Sequence, residues 1–302
     1  MELPEDWTAE QMLDRLPAGT AAVAAKSPEG RALLRQRLRG VTRLIFNEVK
    51  GAARRGHRGR RAQDVIDHYE PDYAGEAKRV AESYDDIQRP ILFRLADQLA
   101  KIEGRHALSL SARQVGDIAA ALAPSSVAEI GCGHGRVLHH IAARLPEAEC
   151  FGYELTKAGV EMAQQLQALD LPQTAYGRHY GITPDNLPSV RRTRFETASA
   201  FDLPVEDGRF DLVYTNAALE QMHDGLPQAL SEIRRISRKY VLLHEPFADF
   251  NDLPSRAFLW SRNYFRLHST DLRRYGLEPV RYWHNLPVKP TFAYGLVLFE
   301  LR

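Results

Sequence analysis

Apolar residues fall into two patterns along this chain, and the pattern changes at Val127. Before that residue the spacing is helical. Residues 7–16 predict a short first helix. Ser27 and Pro28 read as an N-cap followed by proline at the first helical position. Beyond them Leu34, Leu38, Val41 and Ile45 recur at helical spacing, while Arg31, Arg35, Arg39 and Arg43 lie four apart on another face. The helix should fail over residues 51–59, where glycine interrupts a basic run. Helical patterns resume over residues 76–102, with Pro90 as an interruption or a fresh start. Ser111 then reads as the cap of a helix over residues 112–122.

From Val127 onward, short apolar runs of strand length alternate with helical stretches. Residues 127–130, 150–155, 193–198, 210–216 and 239–244 predict strands. Helices are predicted from Arg136, from the cap Thr156 to about Leu169, and around Leu226, Leu230 and Ile233. A long connection over residues 171–190 carries Tyr176, His179 and Tyr180. A helix over 256–265 and a hairpin pairing 279–283 with 292–301 complete the pattern. Alternating strand and helix imply an α/β fold with a doubly wound, mostly parallel sheet and helices on both faces. The chain is thus expected to divide into an N-terminal helical segment, residues 1–110, and an α/β domain, residues 111–302.

Composition adds two points. The chain has 302 residues, 44% hydrophobic and 26% charged, as an ordinary globular protein has. Its net charge of +1 is uneven, since residues 31–61 hold eleven Lys or Arg against the single acid Glu48. Such a block reads as a contact for phosphates or an anionic surface, or as a solvated helix face. No apolar run is long enough to span a membrane, which leaves only peripheral membrane contact. The two cysteines, Cys132 and Cys150, read as small buried side chains, and a reducing, cytoplasmic setting follows. The eleven histidines show no metal-ligand spacing, so no metal site is expected.

The chemistry gathers at Val127-Ala-Glu-Ile-Gly-Cys-Gly-His-Gly-Arg136. A buried strand ends in Glu129, a turn follows with glycine at alternate positions, and a helix begins. Glycine serves where backbone approaches a ligand closely or takes positive φ. The helix start offers unpaired N–H groups and partial positive charge. This is a nucleotide-type site at the end of a parallel sheet, but arginine at 136 departs from a dinucleotide fingerprint.

The E-x-G-x-G-x-G pattern resembles motif I of the class I S-adenosylmethionine-dependent methyltransferases. Three later features agree in order. Glu154 ends the next strand about 20 residues on. Residues 198–204 precede the strand at 210–216 as the family's adenine-flanking segment does. Asn216-Ala-Ala-Leu-Glu220 resembles its fourth-strand end. The resemblance covers residues 111–302 and implies S-adenosyl-L-methionine as cofactor. It implies that Gly131, Gly133 and Gly135, with Cys132 between them, let the methionine and ribose pass, and that Glu129 orients the loop or meets the amino end. It further implies that Glu154, followed by Leu155, holds the ribose, that Ala200 and Phe201 flank the adenine, and that Asn216 lies near the methyl group. Two positions depart from many relatives: Ser199 stands where Asp accepts from the adenine amino group, and Gln221 stands where His follows the Glu.

Methyl transfer from a sulfonium is mostly a matter of positioning. A hydroxyl acceptor also needs a base, for which His244, Glu245 and His223 are the candidates at strand ends. The leading reading is methyl transfer to oxygen or nitrogen of a small-molecule acceptor, with the N-terminal helices and the 171–190 insertion closing over it. Tyr69, Tyr73, Tyr176 and Tyr180 are its candidate pocket aromatics. A nucleic-acid methyltransferase using residues 31–61 is a second reading. No aromatic-flanked Asn-Pro-Pro-type motif follows the fourth strand, which argues against that partner. A non-catalytic S-adenosylmethionine-binding protein is the third.

Overall fold

A computed structural model describes residues 2–18, 20–55, 62–82, 90–222, 225–264, 266–288 and 291–301. Strands β1 (Ala22–Ala24), β2 (Ile91–Leu95) and β3 (Gln98–Ile102) and helices α1 (Ala9–Leu13), α2 (Pro28–Arg55), α3 (Ala62–Tyr73) and α4 (Ala77–Glu82) make up the N-terminal part. Helix α5 (Gly104–Leu122) leads from it into the sheet region. The expected helical run over 76–102 is corrected here, because residues 91–102 form an antiparallel hairpin that β1 joins as a third strand. Phe93 and Leu95 are buried and Arg94 between them is exposed, which is a strand period. Pro90 marks the break, and a fresh strand, not a fresh helix, follows it. Helix α5 also starts earlier than Ser111, whose hydroxyl bonds back to the Ala107 carbonyl at 3.1 Å.

The main sheet has seven strands: β4 (Ser126–Ile130), β5 (Glu149–Glu154), β6 (Arg194–Thr197), β7 (Phe210–Asn216), β8 (Ser237–Glu245), β9 (Pro279–Trp283) and β10 (Gly295–Glu300). Their order is β6-β5-β4-β7-β8-β10-β9, with the first five parallel and β10 antiparallel to both neighbours. Helices α6 (Arg136–Arg144), α7 (Lys157–Ala168), α8 (Ala175–Tyr180), α9 (Leu187–Arg191), α10 (Leu226–Ile236) and α11 (Leu253–Ser261) connect or flank these strands. Burial on both faces explains the continuous apolar runs. Leu212, Tyr214, Leu242, Leu296 and Leu298 enter one core, and Val213, Val241, Leu243, Val297 and Phe299 enter the other. The fold is the doubly wound α/β arrangement that the strand–helix alternation implied.

The connection after α7 is compact. Gln167 donates its amide to the Val190 and Thr193 carbonyls at 2.7 and 2.9 Å, which ties its two ends together. Tyr176 is fully buried, its hydroxyl 2.9 Å from His139 Nδ1. The expectation that Tyr176 faces the acceptor is therefore corrected, since this segment fills the space against α6. Burial pushes His139 and His140 down to about 3 and about 4, so both are neutral packing groups.

The far end of the sheet carries a buried carboxylate. Asp211 accepts from the Ser125 N–H at 3.0 Å and hydroxyl at 2.5 Å, and Arg238 donates to it at 2.9 and 2.7 Å. Burial alone would raise its pKa, but the hydrogen bonds from Ser125, Arg238 and Lys239 outweigh it and hold the carboxyl well below the usual range. Its stabilisation is therefore present above the unfolded-state value and lost as pH falls towards the folded one. Asp211→Ala should cost about 2–3 kcal/mol by orphaning the Ser125 donors. Urea unfolding at pH 7, with an unchanged slope, measures this, and the deficit should shrink at acid pH.

Candidate active site

The strand order reverses around β4, so the chain leaves its two sides in opposite directions and opens a crevice beyond the carboxyl ends. One cavity of about 470 Å³ fills that crevice, and the ends of β4, β5, β7 and β8 meet it through Glu129, Glu154, Asn216 and His244. Gly131, Cys132, Gly133, Leu155, Ala200 and Phe201 also line it. Nine of the ten expected cofactor residues thus share one space with His244; the tenth, Gly135, does not line it and is the N-cap of α6.

The glycine turn is held open by its own backbone. Gly131, Gly133 and Gly135 take φ of 74°, 54° and 79°, where side chains are strained. A Cβ on Gly131 would stand 2.5 Å from the Ala218 Cβ, and one on Gly133 would stand 2.6 Å from the Tyr73 hydroxyl. The Gly131 and Cys132 N–H groups both donate to the Tyr153 carbonyl, at 2.8 and 3.2 Å, which fastens the turn to β5. Burial pushes the Cys132 thiol well up, so it stays protonated and serves as a wall.

Two carboxyl side chains, Glu129 and Glu154, face the cavity. Glu129 is 2% exposed, and burial raises it to about 8 although the Tyr214 hydroxyl donates to it at 2.7 Å. Glu154 accepts from the Gly133 N–H at 2.8 Å with one oxygen. With the other it accepts from the Thr156 N–H at 3.0 Å and hydroxyl at 2.8 Å. It therefore clasps the glycine turn to the start of α7 while keeping lone pairs towards the cavity. On the opposite wall the Ser199 hydroxyl accepts from the Phe201 N–H at 3.2 Å, so this residue shapes the loop beside Ala200.

Beyond Asn216 the wall changes character. His244 Nδ1 lies 2.5 Å from Asn216 Oδ1, and the two residues pair across β7 and β8. An amide oxygen only accepts, so Nδ1 carries the proton and the lone pair belongs to Nε2. Glu220 accepts from Tyr294 at 3.0 Å and from the Gln221 amide at 3.0 Å, and all three residues line the cavity. Ala217, between them, sits at φ 58°, a strained setting for a residue with a Cβ.

Glu245 requires a correction. It is fully buried and is not among the residues that line the cavity. Its oxygens accept from the Thr215 hydroxyl at 2.8 Å and from the N–H groups of Ala218, Leu219 and Glu220 at 3.0, 3.1 and 3.2 Å. Burial nevertheless raises it to about 7. Its place is to hold the loop after β7. Alternate side chains of a strand point to opposite faces, and here His244 meets the cavity while Glu245 turns to the loop after β7. His223, the other candidate base, lies outside the described residues.

Of the four tyrosines expected at the pocket, Tyr69, Tyr73 and Tyr180 line the cavity, whereas most of the remaining wall was missed from sequence. Ile91 and Phe93 of β2, Leu108 of α5, and Pro287 give it an apolar end, and Val65 and Tyr69 of α3 add to it. Tyr73 packs edge-on against His134, and Glu70 accepts from the Ala158 N–H at 3.2 Å, which seats α3 on α7. The alternation of Ile91, Phe93 and Leu95 was a usable signal for these wall residues. Nothing in the sequence marked Pro287 or Tyr294. Among the described residues no group of three or more His, Cys, Asp or Glu is placed to hold a metal ion. No helix among them is long and apolar enough to cross a membrane.

Comparison with known proteins agrees with this architecture. Residues 128–243 match the family model of a methyltransferase domain. A 98-residue stretch, 32% of the chain, is 30% identical to tocopherol O-methyltransferase of Arabidopsis thaliana. That stretch spans only 23% of the relative's length. Magnesium protoporphyrin IX methyltransferase from Synechocystis, solved with bound SAH, superposes with a TM-score of 0.55 at 15% identity, over 80% of this chain and 100% of that one. Geranyl diphosphate methyltransferase in complex with GPP and sinefungin gives 0.51 at 14% identity, over 79% and 98%. The [4+2]-cyclase SpnF gives 0.50 at 13% identity, over 82% and 98%.

Proposed function

We propose that this chain, which has the fold of the class I (Rossmann-like) S-adenosylmethionine-dependent methyltransferases, transfers a methyl group from S-adenosylmethionine to a small, largely apolar acceptor. One observation carries the reading: a single cavity brings the glycine turn and Glu154 together with His244 and an apolar wall. In this reading Glu154 receives the ribose hydroxyls, Ala200 and Phe201 flank the adenine, and the glycine turn lets the methionine lie against backbone. Glu129 faces the amino end and Asn216 lies beside the methyl group. The cofactor supplies the electrophilic methyl carbon. The protein aligns a nucleophile behind that carbon and excludes water. His244, held by Asn216, takes the acceptor's proton at Nε2 when the nucleophile is a hydroxyl.

The apolar end supports an acceptor with substantial hydrocarbon surface, and the relatives named for tocopherol and geranyl diphosphate agree with that class. A nucleic-acid acceptor is disfavoured, because Ile91, Phe93, Leu108 and Pro287 line the cavity with hydrocarbon. The buried, unpaired state of Cys132 and Cys150 suits the cytoplasm as its setting. The [4+2]-cyclase SpnF shares the fold and is named for a reaction other than methyl transfer, which leaves a second reading, in which this chain binds the cofactor without donating its methyl. Incubation with methyl-labelled S-adenosylmethionine and a panel of apolar alcohols, phenols and amines separates the two. Transfer of label supports methylation, whereas tight binding with no label in any product supports the second reading.

Glu129 gives the cofactor site an expected pH dependence. Raised to about 8, it is largely protonated at neutral pH in the empty site. A bound ammonium and sulfonium favour its ionised form and so expel the proton. Affinity for S-adenosylmethionine should therefore rise between pH 6 and 8, with proton release visible as a buffer-dependent heat in calorimetry. Glu129→Gln should flatten that dependence. A wild-type affinity that is level across this range would remove Glu129 from contact with the cofactor's charge.

A further inference from the structure

The helix α2 has a use for its outer face that the cavity does not explain. Its start is capped by the Ser27 hydroxyl, which accepts from the Gly30 N–H at 2.9 Å. Its orientation is fixed on the inner side, where Ile45 and Val49 pack on Phe258, Leu259 and Phe292, and Glu48 pairs with Arg262 at 3.3 Å. The sequence pattern made Leu38 part of that inner stripe, but the structure turns it outward: Leu38 is 58% exposed and Phe46 is 64% exposed. Leu38, Thr42 and Phe46 lie four apart and form one row. Thr42 donates its hydroxyl to the Leu38 carbonyl at 2.6 Å, which satisfies it within the helix. Arg31, Arg35, Arg39 and Arg43 form the adjoining row, all exposed. Leu38, Arg39, Thr42, Arg43 and Phe46 line a shared open groove.

Nothing acidic interrupts this face, since no Asp or Glu occurs between Gly30 and Asn47. Among the described residues Arg35, Arg39 and Arg43 have no carboxylate partner. Leu38 and Phe46 stand in one groove with Arg39 and Arg43, so the face presents apolar and cationic side chains together. We infer that the outer face of α2 docks on an anionic bilayer surface, with Leu38 and Phe46 entering the acyl boundary and the arginine row lying at the headgroup phosphates. Such a helix lies in the interface plane. Its arginine stems bury along the apolar side chains while the guanidinium groups stay at the headgroups. A nucleic acid fits the face less well. Its phosphates would pair with the arginines, but Leu38 and Phe46 would then be pressed against a charged backbone.

The docked face also lies close to the acceptor wall. The cluster under Ile45 includes Phe292 and is continued by Tyr294, which lines the cavity and bonds Glu220 at 3.0 Å. Only the thickness of one helix, about 10 Å, separates the proposed membrane plane from this packing. The inference stands independently of the reading of the cavity, because its test is binding alone.

The test is sedimentation of the full chain with phosphatidylcholine vesicles, with and without about one-third phosphatidylglycerol. Binding should require the anionic lipid and weaken with salt. The double variants Leu38→Asp with Phe46→Asp, and Arg39→Glu with Arg43→Glu, should each reduce binding at least tenfold. All four positions are exposed, so melting temperature and S-adenosylmethionine affinity serve as folding controls. Phe46→Trp should keep binding, and its added fluorescence should shift to the blue on anionic vesicles only. Equal binding to both vesicle types, variants that sediment like wild type, or an unshifted emission would each overturn the inference. So would tight, salt-sensitive binding of an RNA oligonucleotide through these arginines with no binding to vesicles.

Discussion

His244→Ala is expected to lower turnover on a hydroxyl acceptor by about 10²–10⁴-fold while leaving cofactor affinity unchanged. The expectation follows from the proposed base role and from geometry. His244 ends β8, lines the cavity and is held through Nδ1 by Asn216 at 2.5 Å. That contact assigns the lone pair to Nε2 and fixes the plane of the ring. Asn216→Asp provides a finer check, because a carboxylate behind the ring stabilises the imidazolium. The acid limb of the pH–rate profile should then move to higher pH, which a merely structural contact would not cause. A loss under tenfold in a folded His244→Ala protein, measured with the true acceptor, would return the role to His223 or to no base at all.

Glu154→Ala is expected to weaken both S-adenosylmethionine and its demethylated product by about 1.5–3 kcal/mol, a factor of roughly ten to 150. Two losses combine in it. The ribose hydroxyls lose a charged acceptor, and the Gly133 N–H loses the partner that holds the turn at 2.8 Å. Thr156→Val is the control for both, since it removes one 2.8 Å donor to Glu154 and leaves the carboxylate and its Gly133 contact in place. Its effect should stay within about threefold. Calorimetry on the folded variants decides, and an unchanged affinity in Glu154→Ala would take the ribose role away from this residue.

Where sequence reasoning went astray, the cause was usually the same. A pattern was visible but its partner was not. Residues 91–102 alternate as strands do, yet no turn glycine separates the two runs. Ala96 takes φ 50° in the turn, which no sequence rule assigns to alanine. Leu38 fits a helical stripe, but which side of α2 is inward was decided by α11 and Phe292. Glu245 and His244 stand side by side in sequence. Only the position of the loop over 218–220 shows that one of them caps it and the other meets the cavity.

What the sequence determined by itself was the order of the main-sheet elements from Val127 onward and the half of the cavity built from strand ends. Short continuous apolar runs specify strands buried on both faces, and glycines at alternate positions specify an open turn, because both are local constraints on the chain. Glu129, Glu154, Asn216 and His244 could be placed on one edge for the same reason: parallel strands carry their carboxyl ends to one side. What only the tertiary structure decided was the other half. The hairpin, α3, α5, Pro287 and Tyr294 come from distant parts of the chain. They meet at the cavity through long-range packing, and no local period records which of their side chains will face it.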